Sequence, residues 1–422
     1  MRFDTVLIGG GLSSLVCGIL LQREGKKCLM VSAGQNALHF SSGAFGLLGC
    51  MPDGTPVDAP FEAFSALDPA HPYRKIGRAL CESYADAAVP FFASCGIPLH
   101  GFGRRNGFRL TASGSFKRAW LAFQDVPFFS SDDALDGKRA LIVTLDGFLD
   151  FYPEMLSDGL RRRGVESRCV SVHLSCLDAL RGGPGEMRSV GIARVLNREA
   201  NWKQFGREVR ALLDGEDLVI VPEVFGLEDR IVNEWIAEMI PAQVLYVGTM
   251  PPSVSGIRVQ RLLKNAFIQA GGTFLMGDTA CDPEWAPDGT VRCIHTANLG
   301  APGIEADSFV YAGGHLFGRG IESHPDGFSD PVFRLDVICD ADRASWVERG
   351  FFQAQPYMGY GIGTDERFRG LKDGRTVENL YVAGAQLAGC NSLQEGSGAG
   401  VAVMSAMHIA ADILKRTENV GE

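Results

Sequence analysis

A run of three glycines near the start of the chain has the residue types and spacing of a phosphate-binding turn. Gly9, Gly10 and Gly11 follow the segment Asp4–Ile8, which is typical of a buried parallel strand, and Ser14 stands where a third glycine is usual. A glycine turn between a buried strand and a helix presents backbone N–H groups and the positive helix end to a phosphate. The pattern therefore predicts a nucleotide or flavin cofactor, with Ser14 small enough for close helix–strand packing.

The end of the second predicted strand lacks the acid that a dinucleotide fold usually carries there. The strand Lys27–Ser32 ends without a carboxylate, and no Asp or Glu occurs between Gly25 and Pro52. An acid at this point hydrogen-bonds the adenosine ribose. The sequence thus predicts a phosphate-bearing cofactor near Ser32, with the adenosine half loosely held or missing.

Further candidate contacts lie in serine- and glycine-rich stretches. Two more apolar strands run into glycines, and the second of them precedes a long helix with a glycine-rich entry. Such a helix can place its positive end against a flavin edge that gains negative charge on reduction. The predicted cofactor-binding set is Gly9, Gly10, Gly11, Ser14, Ser32, Ser41, Ser42, Gly43, Gly313, Gly384, Gly398 and Gly400.

The sequence does not assign a general base. His39, Arg258 and His315 are the catalytic candidates, since each is near a predicted cofactor loop. A base must lie within hydrogen-bond reach of the proton that it takes. His39 is equally explained as a buried histidine with a backbone partner, Arg258 as a helix-capping cation, and His315 as a structural residue.

Composition excludes some classes of function. The formal charge of −10 argues against nucleic acid or an anionic membrane surface as the main partner. The eleven cysteines show no C-x-x-C or C-x-x-x-C spacing. This spacing argues against an iron–sulfur cluster or structural zinc, so no metal site is predicted.

Length and element order predict the architecture. A chain of 422 residues exceeds the usual size of one core. From Arg139 onward, apolar strands alternate with helical stripes, whereas 104–110 reads as a hairpin that turns at Asn106-Gly107. We expect an α/β, two-dinucleotide-fold flavoprotein with a parallel central sheet. Residues 1–50 and 245–422 would form the flavin domain, and residues 51–244 an inserted α/β cap domain.

Together these stretches resemble the B-subunit family of the anaerobic glycerol-3-phosphate dehydrogenase over nearly the whole length. The motifs that carry the resemblance include 37–43 (ALHFSSG), 70–73 (AHPY), 251–254 (PPSV), 256–258 (GIR), 364–366 (TDE) and 378–380 (ENL). The resemblance implies a flavoprotein subunit, usually FMN-binding, paired with an FAD-carrying catalytic A-subunit. It further implies an iron–sulfur C-subunit that attaches the complex to the inner face of the cytoplasmic membrane.

The resemblance also implies an activity, namely oxidation of glycerol 3-phosphate to dihydroxyacetone phosphate with electrons passed towards a quinone. A G-x-G turn, however, is typical of sites that bind the ADP part of a dinucleotide, so FAD is a close alternative to FMN. Two other functions stay open. One is a structural partner of the A-subunit without flavin, and the other is an independent FAD-dependent oxidoreductase similar to fumarate reductase.

Overall fold

The chain divides into two units in a computed structural model that describes residues 1–183, 187–300 and 303–420. The first unit comprises Met1–Ala37, Gly46–Gly96 and Leu262–Glu422. The second unit comprises Leu38–Phe45 and Ile97–Arg261. Each unit has its own parallel sheet, as the alternation of apolar strands and helices predicts.

The helices of the described residues are mostly short, with longer ones where apolar residues recur at helical spacing. They are α1 (Leu12–Arg23), α2 (Pro60–Ala63), α3 (Pro72–Ile76), α4 (Arg78–Ser94), α5 (Pro153–Arg161), α6 (Ser189–Leu196), α7 (Glu199–Ala211), α8 (Ile231–Met239), α9 (Val254–Gln269), α10 (Ser392–Glu395) and α11 (Gly398–Val420).

The strands are β1 (Arg2–Ile8), β2 (Cys28–Ser32), β3 (Ala44–Phe45), β4 (Leu99–Gly101), β5 (Gly107–Leu110), β6 (Phe116–Ala119), β7 (Leu121–Phe123), β8 (Phe128–Phe129), β9 (Arg139–Leu145), β10 (Glu166–Val172), β11 (Leu218–Pro222), β12 (Gln243–Val247), β13 (Thr273–Met276), β14 (Ala280–Trp285), β15 (Val291–Thr296), β16 (Ile304–Tyr311), β17 (Glu322–His324), β18 (Gly327–Ser329), β19 (Val337–Ile338), β20 (Gly361–Ile362), β21 (Arg369–Lys372) and β22 (Arg375–Val382).

The main sheet of the first unit is built around β1. Strands β13, β2, β1, β16 and β22 lie side by side and run parallel. The remaining strands, β14, β15 and β21, are antiparallel additions. Because Ile8 is in register with Tyr311, the turn after β1 lies beside the residues that follow β16. The carboxyl ends of parallel strands form the usual ligand edge of such a sheet.

Two helices of the first unit pack against each other beside this sheet. Helix α1 buries most of its residues, including Leu15, Val16 and Ile19, and packs against α11. By length and hydropathy, the segment Gly398–Arg416 of α11 could cross a membrane, but 61% of it is buried within the protein. That burial is the behaviour of a core helix, which passes the same test of composition.

The second unit carries the predicted alternation of strands and helices. Strands β10, β9, β11 and β12 form a parallel sheet, and β5, β6 and β8 form a small antiparallel one. The predicted hairpin turn at Asn106-Gly107 is wrong. Gly107 begins β5, and the chain reverses at 111–115, where Thr111 and Ser115 close the turn by hydrogen bonds.

The two units and the predicted domains divide the chain at different residues. Residues 51–96 group with the first unit because α3 and α4 pack against α11. Residues 38–45 group with the second unit because β3 pairs with β7. The functional division into a flavin domain and a cap domain stays a prediction.

Candidate cofactor site

The turn after β1 begins at a position that only glycine can occupy. Gly9 has a φ of +112°, and a Cβ on it would lie 2.1 Å from the Ala312 carbonyl oxygen. Its N–H donates to the Val31 carbonyl at 2.8 Å. The amide of Gly9 is therefore used inside the sheet, and its missing side chain lets the ends of β1 and β16 approach.

The next two residues leave their amides for a ligand. Among the residues that the structure describes, the N–H groups of Gly10 and Gly11 have no hydrogen-bond acceptor. Gly11 is the N-cap of α1, and no side chain caps that helix. Asn36 donates from Nδ2 to the Gly10 carbonyl at 2.7 Å, which fixes the peptide. Uncapped amides at a helix N-terminus are a ready anion site.

The two serines predicted near the turn have different surroundings. Ser14 is wholly buried, and its Oγ has no partner in the described part of the chain, so its small size is what the packing requires. Ser32 ends β2, and a Cβ on Gly10 would lie 2.2 Å from its Oγ. Ser32 therefore lies directly beside the phosphate turn, where a dinucleotide fold usually has its acid.

A second glycine loop of the first unit closes onto the start of α1. Gly384 has a φ of +73°, and a Cβ on it would lie 2.3 Å from Ser13 Oγ. Its amide donates to Ser405 Oγ at 3.0 Å. The Gly313 amide donates to Gln386 Oε1 at 2.6 Å. The amides of Gly313 and Gly384 thus hold the loops together, and the glycines serve close approach.

The entry to α11 is held by a buried polar cluster. Glu395 lies 3.2 Å from His71 through Oε2 and Nε2, and the same oxygen accepts from Ser397 Oγ at 2.8 Å. The Gly400 amide donates to the Gly46 carbonyl at 2.8 Å, and a Cβ on Gly400 would lie 2.4 Å from Tyr73 Oη. Gly400 is therefore a packing position.

Gly398 begins α11 and is more tolerant. A Cβ there would meet only Ser392, at an ordinary contact distance of 3.5 Å. Its predicted contact with a flavin stays a prediction.

Among the three catalytic candidates, His315 lies in the first unit. It is half-buried just after Gly313-Gly314 and lies 2.8 Å from the Tyr360 carbonyl through Nε2. Burial lowers the pKa of its imidazole. Since Nε2 must donate to the carbonyl, Nδ1 is the unprotonated nitrogen, and it has no partner among the described residues. That nitrogen could accept a proton.

A cavity of about 680 Å³ begins at Leu316, the residue after His315, and the glycine turn does not line it. Its wall combines apolar side chains, such as Phe317, Phe328 and Trp346, with the charged or polar Arg319, Glu322 and His324.

His39 and Arg258 lie in the second unit and have structural partners there. His39 Nε2 contacts Gln260 Oε1. The buried Arg258 guanidinium pairs with Asp125 at 2.5 Å and donates to the Gly226 carbonyl. These contacts account for Arg258 as a structural cation, and a catalytic role for either residue stays a prediction.

Ser41, Ser42 and Gly43 also belong to the second unit. Gly43 has a φ of +80° and donates its N–H to Ser41 Oγ at 3.2 Å, whereas its carbonyl accepts from Phe123. A Cβ at Gly43 would lie 2.5 Å from Val126 Cγ2, so the glycine is needed for local packing. Contact of these three residues with a flavin stays a prediction.

Sequence reasoning missed the side chains that fix these loops. Asn36 and Gln386 bind backbone groups of the two glycine turns, and the His71–Glu395 pair joins residues 324 positions apart. Nothing in spacing or composition marks such long-range partners. A weak signal existed for Gln386, since it follows Gly384 by two residues at the end of a buried strand.

Comparison with known proteins identifies the fold and the family. Residues 4–401 match the family model described as an FAD binding domain. The chain is 36% identical to the B-subunit of anaerobic glycerol-3-phosphate dehydrogenase from Yersinia enterocolitica, with 99% of each chain covered. It is 38% identical to the B-subunit of the same name from Pectobacterium atrosepticum, over 98% of this chain and 99% of the relative.

Similarity to solved structures is more remote. A 3-ketosteroid Δ1-dehydrogenase from Sterolibacterium denitrificans aligns with 11% identity and a TM-score of 0.45, over 98% of this chain and 100% of that one. Quinol fumarate reductase of E. coli aligns with 10% identity and a TM-score of 0.43, over 100% of this chain and 71% of that one.

The family match corrects the cofactor expectation. A match to an FAD binding domain supports a flavin and makes FAD the closer assignment, so FMN as the first choice is not supported. The residues fit such a cofactor, because the Gly9–Gly11 turn leaves two amides and an uncapped helix start for a phosphate. The chain belongs to the B-subunit family of anaerobic glycerol-3-phosphate dehydrogenases, a family of flavin oxidoreductases with an FAD binding domain.

Proposed function

We propose that the chain binds FAD and transfers electrons within a quinone-linked glycerol-3-phosphate dehydrogenase of several subunits. The single observation that carries the proposal is the pair of unpartnered amides of Gly10 and Gly11, among the described residues, at the start of α1 in a chain of this family. In this activity the substrate's secondary alcohol loses two electrons and two protons to become the ketone of dihydroxyacetone phosphate. The electrons leave towards a quinone.

The residues of the first unit supply the binding side of this function. The Gly10 and Gly11 amides, with the positive end of α1, would hold the pyrophosphate. Ser32 would contact the adenosine ribose with a neutral hydroxyl in place of the usual carboxylate. A bound flavin supplies an acceptor for two electrons that can be passed on one at a time. The entry to α11, held by Glu395 and His71, would orient the helix towards it.

The names of the relatives support a complex of several chains. We propose an FAD-bearing catalytic A-subunit and an iron–sulfur C-subunit as partners, with this chain passing electrons between them. The C-subunit would attach the complex to the inner face of the cytoplasmic membrane. The formal charge of −10 is consistent with protein partners rather than with direct binding to anionic lipid.

Release of the cofactor tests the binding proposal. Purified protein is denatured, and the freed flavin is identified by chromatography as FAD or FMN. We expect FAD. Protein without flavin absorbance, even after reconstitution with FAD, would contradict the proposal and favour a structural partner of the A-subunit that binds no flavin. Recovery of FMN alone would contradict the FAD assignment and support the FMN that the family resemblance implies.

A matched pair of glycine variants tests the turn itself. In Gly10→Ala, the new Cβ meets Ser32 Oγ at 2.2 Å, so we expect FAD affinity to fall at least about tenfold, or about 1.4 kcal/mol. Gly327→Ala is the control, since its Cβ meets nothing within 4 Å and its φ lies outside the left-handed region. Equal affinities in the two variants would remove Gly10 from the phosphate site.

The activity of the isolated chain distinguishes a subunit that passes electrons between partners from an enzyme that works on its own. The flavin-loaded chain is mixed with glycerol 3-phosphate and a soluble dye, with and without the co-expressed partner subunits. We expect dye reduction only with the partners present. Reduction of the dye by the isolated chain would favour an independent dehydrogenase. Reduction of fumarate by the isolated chain, with a reduced dye as the electron donor, would favour an enzyme similar to fumarate reductase.

A further inference from the structure

Three side chains of metal-binding types meet on one face of the β14–β15 hairpin. Glu284 is the register partner of Cys293, and His295 follows Cys293 by two residues on the same strand. Their ligand atoms all lie within 4.8 Å of one another. Glu284 Oε1 is 2.7 Å from His295 Nε2, and Cys293 Sγ is 3.9 Å from the same nitrogen.

A β-bulge brings these residues together. The register shifts between Cys281 and Glu284, where Asp282 has a φ of +45° and is followed by Pro283. Bulges of this kind re-aim the side chains that follow them. Glu284 lies nine residues before Cys293 in the chain, so a search of the sequence for short cysteine and histidine spacings finds nothing here. The expectation of no metal site rested on that search.

Gly303, which directly precedes β16, packs closely against two of the three ligand side chains. A Cβ on Gly303 would lie 2.7 Å from Cys293 Sγ and 3.3 Å from His295 Cε1. A larger residue at this position would crowd both side chains. Cys293 is buried, whereas the side chains of Glu284 and His295 are 39% and 25% exposed. An ion could therefore enter from solvent and reach the thiol.

The carboxylate is held by a further partner. The Arg292 guanidinium contacts Glu284 Oε2, which leaves Oε1 towards His295. Partners of this type orient a ligating carboxylate, and the positive charge offsets one of the two negative charges that a thiolate and a carboxylate bring.

We propose that Glu284, Cys293 and His295 bind a zinc-class divalent cation, with water in the fourth position. In a tetrahedral site, bonds of about 2.3 Å to sulfur and about 2.0–2.1 Å to nitrogen or oxygen place the nitrogen about 3.5 Å from the sulfur and about 3.3 Å from the oxygen. The observed separations of 3.9 and 2.7 Å differ from these by about half an ångström, which small side-chain rotations cover. A mixed sulfur, nitrogen and oxygen set favours zinc over magnesium or calcium.

The site is separate from the cofactor site and does not depend on the proposed function. Cys293 pairs with Glu305 near the start of β16, whereas the glycine turn lies beyond the end of that strand at Ala312. Seven residues of strand at about 3.3 Å each place the two sites about 23 Å apart. The ion would cross-link β14 and β15, which form a hairpin at the edge of the main sheet. No further strand pairs with β14 in the described residues.

Metal analysis and cobalt spectroscopy test the proposal. The full-length chain, freed of any affinity tag, is stripped with a chelator, dialysed against zinc and analysed. We expect about one zinc per chain. Replacement by cobalt should give a thiolate-to-cobalt charge-transfer band in the near ultraviolet. A wild-type protein that retains no zinc or shows no such band would overturn the proposal.

Variants assign the ligands. Glu284→Gln, Cys293→Ser and His295→Gln should each weaken zinc binding at least about tenfold, and only Cys293→Ser should abolish the charge-transfer band. Gly303→Ala should weaken binding by crowding Cys293. Cys281→Ser is a stringent control, because Cys281 is the register partner of His295, and Cys169→Ser controls for exposed thiols. A band that persists in Cys293→Ser, or disappears in Cys281→Ser, would overturn the assignment.

Circular dichroism and flavin content of every variant separate lost binding from lost folding. Gln and Ser are close in size to the residues that they replace, so we expect both readouts to match the wild type. If Cys293→Ser misfolds, Arg292→Gln keeps the proposal testable. It leaves all three ligands in place and should weaken zinc binding about tenfold. Unchanged affinity in that variant would contradict the arrangement.

Discussion

His71 and Glu395 form a buried hydrogen bond of 3.2 Å in which the imidazole is the donor. The direction follows from the other ring nitrogen, because Nδ1 accepts from the Tyr73 amide at 3.1 Å and is therefore unprotonated. The side chains are 1% and 2% exposed. This pair links α3 to the glycine-rich entry of α11 and so fixes the loop that the proposed cofactor site uses.

Removing the carboxylate should destabilise the first unit. Burial raises the pKa of Glu395, but hydrogen bonds from His71, Ser397 and the Asn391 amide outweigh it, so the pKa is lowered and the group is ionised. In Glu395→Ala these three donors lose their acceptor, and we expect a loss of about 3 kcal/mol in the free energy of unfolding. Urea unfolding measures it. The exposed Glu199→Gln is the control and should change stability by less than about 0.5 kcal/mol.

The Glu395 contribution should also depend on pH. Since its folded pKa lies below the unfolded value, the stabilisation is present above the unfolded pKa and is lost as pH falls through the folded one. The difference between wild type and Glu395→Ala should therefore shrink in acid. A difference that stayed constant from neutral to acidic pH would contradict an ionised Glu395.

Ser32 should distinguish FAD from FMN. Because an adenosine ribose is present only in FAD, Ser32→Ala should weaken FAD binding by about 1 kcal/mol and leave FMN binding unchanged. Titration of the flavin-free protein with each flavin measures both affinities. The exposed Ser323→Ala is the control. An equal loss for FAD and FMN would indicate that Ser32 contacts a part common to both, such as the first phosphate.

The turn and its flanking elements could be predicted because their signals are local. The strand predicted over Asp4–Ile8 and the helix predicted after the glycine turn both occur, as β1 (Arg2–Ile8) and α1 (Leu12–Arg23). Glycines that follow a buried strand mark close approach of another segment, which is the Ala312 backbone at Gly9 and the Ser13 side chain at Gly384. The parallel sheet could also be predicted from local signals, because apolar strands alternate with helices along the chain.

The remaining contacts depend on packing between distant segments. Nothing local in the sequence pairs His71 with Glu395 or Gln386 with Gly313. The Asn106-Gly107 turn failed for a related reason, since a cross-strand pairing of Gly107 with Ala119 overrode the local preference. Arg258 could not be placed from sequence, because its partner Asp125 lies 133 positions away.

Arg258 should behave as a structural cation of the second unit. It is 4% exposed and pairs with Asp125, so Arg258→Met leaves a buried carboxylate without its counter-charge. We expect a loss of about 3–5 kcal/mol in stability. The double variant Arg258→Met with Asp125→Asn should recover part of it, because no charge then remains unpaired. A catalytic Arg258 would instead lose dye-reduction activity in the intact complex at unchanged stability.

Glu223 should make the second unit less stable as pH rises. Burial and the neighbouring Asp125 raise its pKa to about 7, against the opposing effects of Ser255 and Arg258. A carboxyl with a raised pKa binds its proton more tightly in the folded chain, so stability falls from about pH 4.5 to about pH 7, by roughly 3 kcal/mol.

Glu223→Gln mimics the neutral form and should match the wild type near pH 5 but exceed it at pH 8. Urea unfolding at both values measures this, and Glu238→Gln, an exposed glutamate on α8, should show no such divergence. If Glu223→Gln were less stable than the wild type at pH 8, the carboxylate would have to be ionised and favourably paired with Arg258.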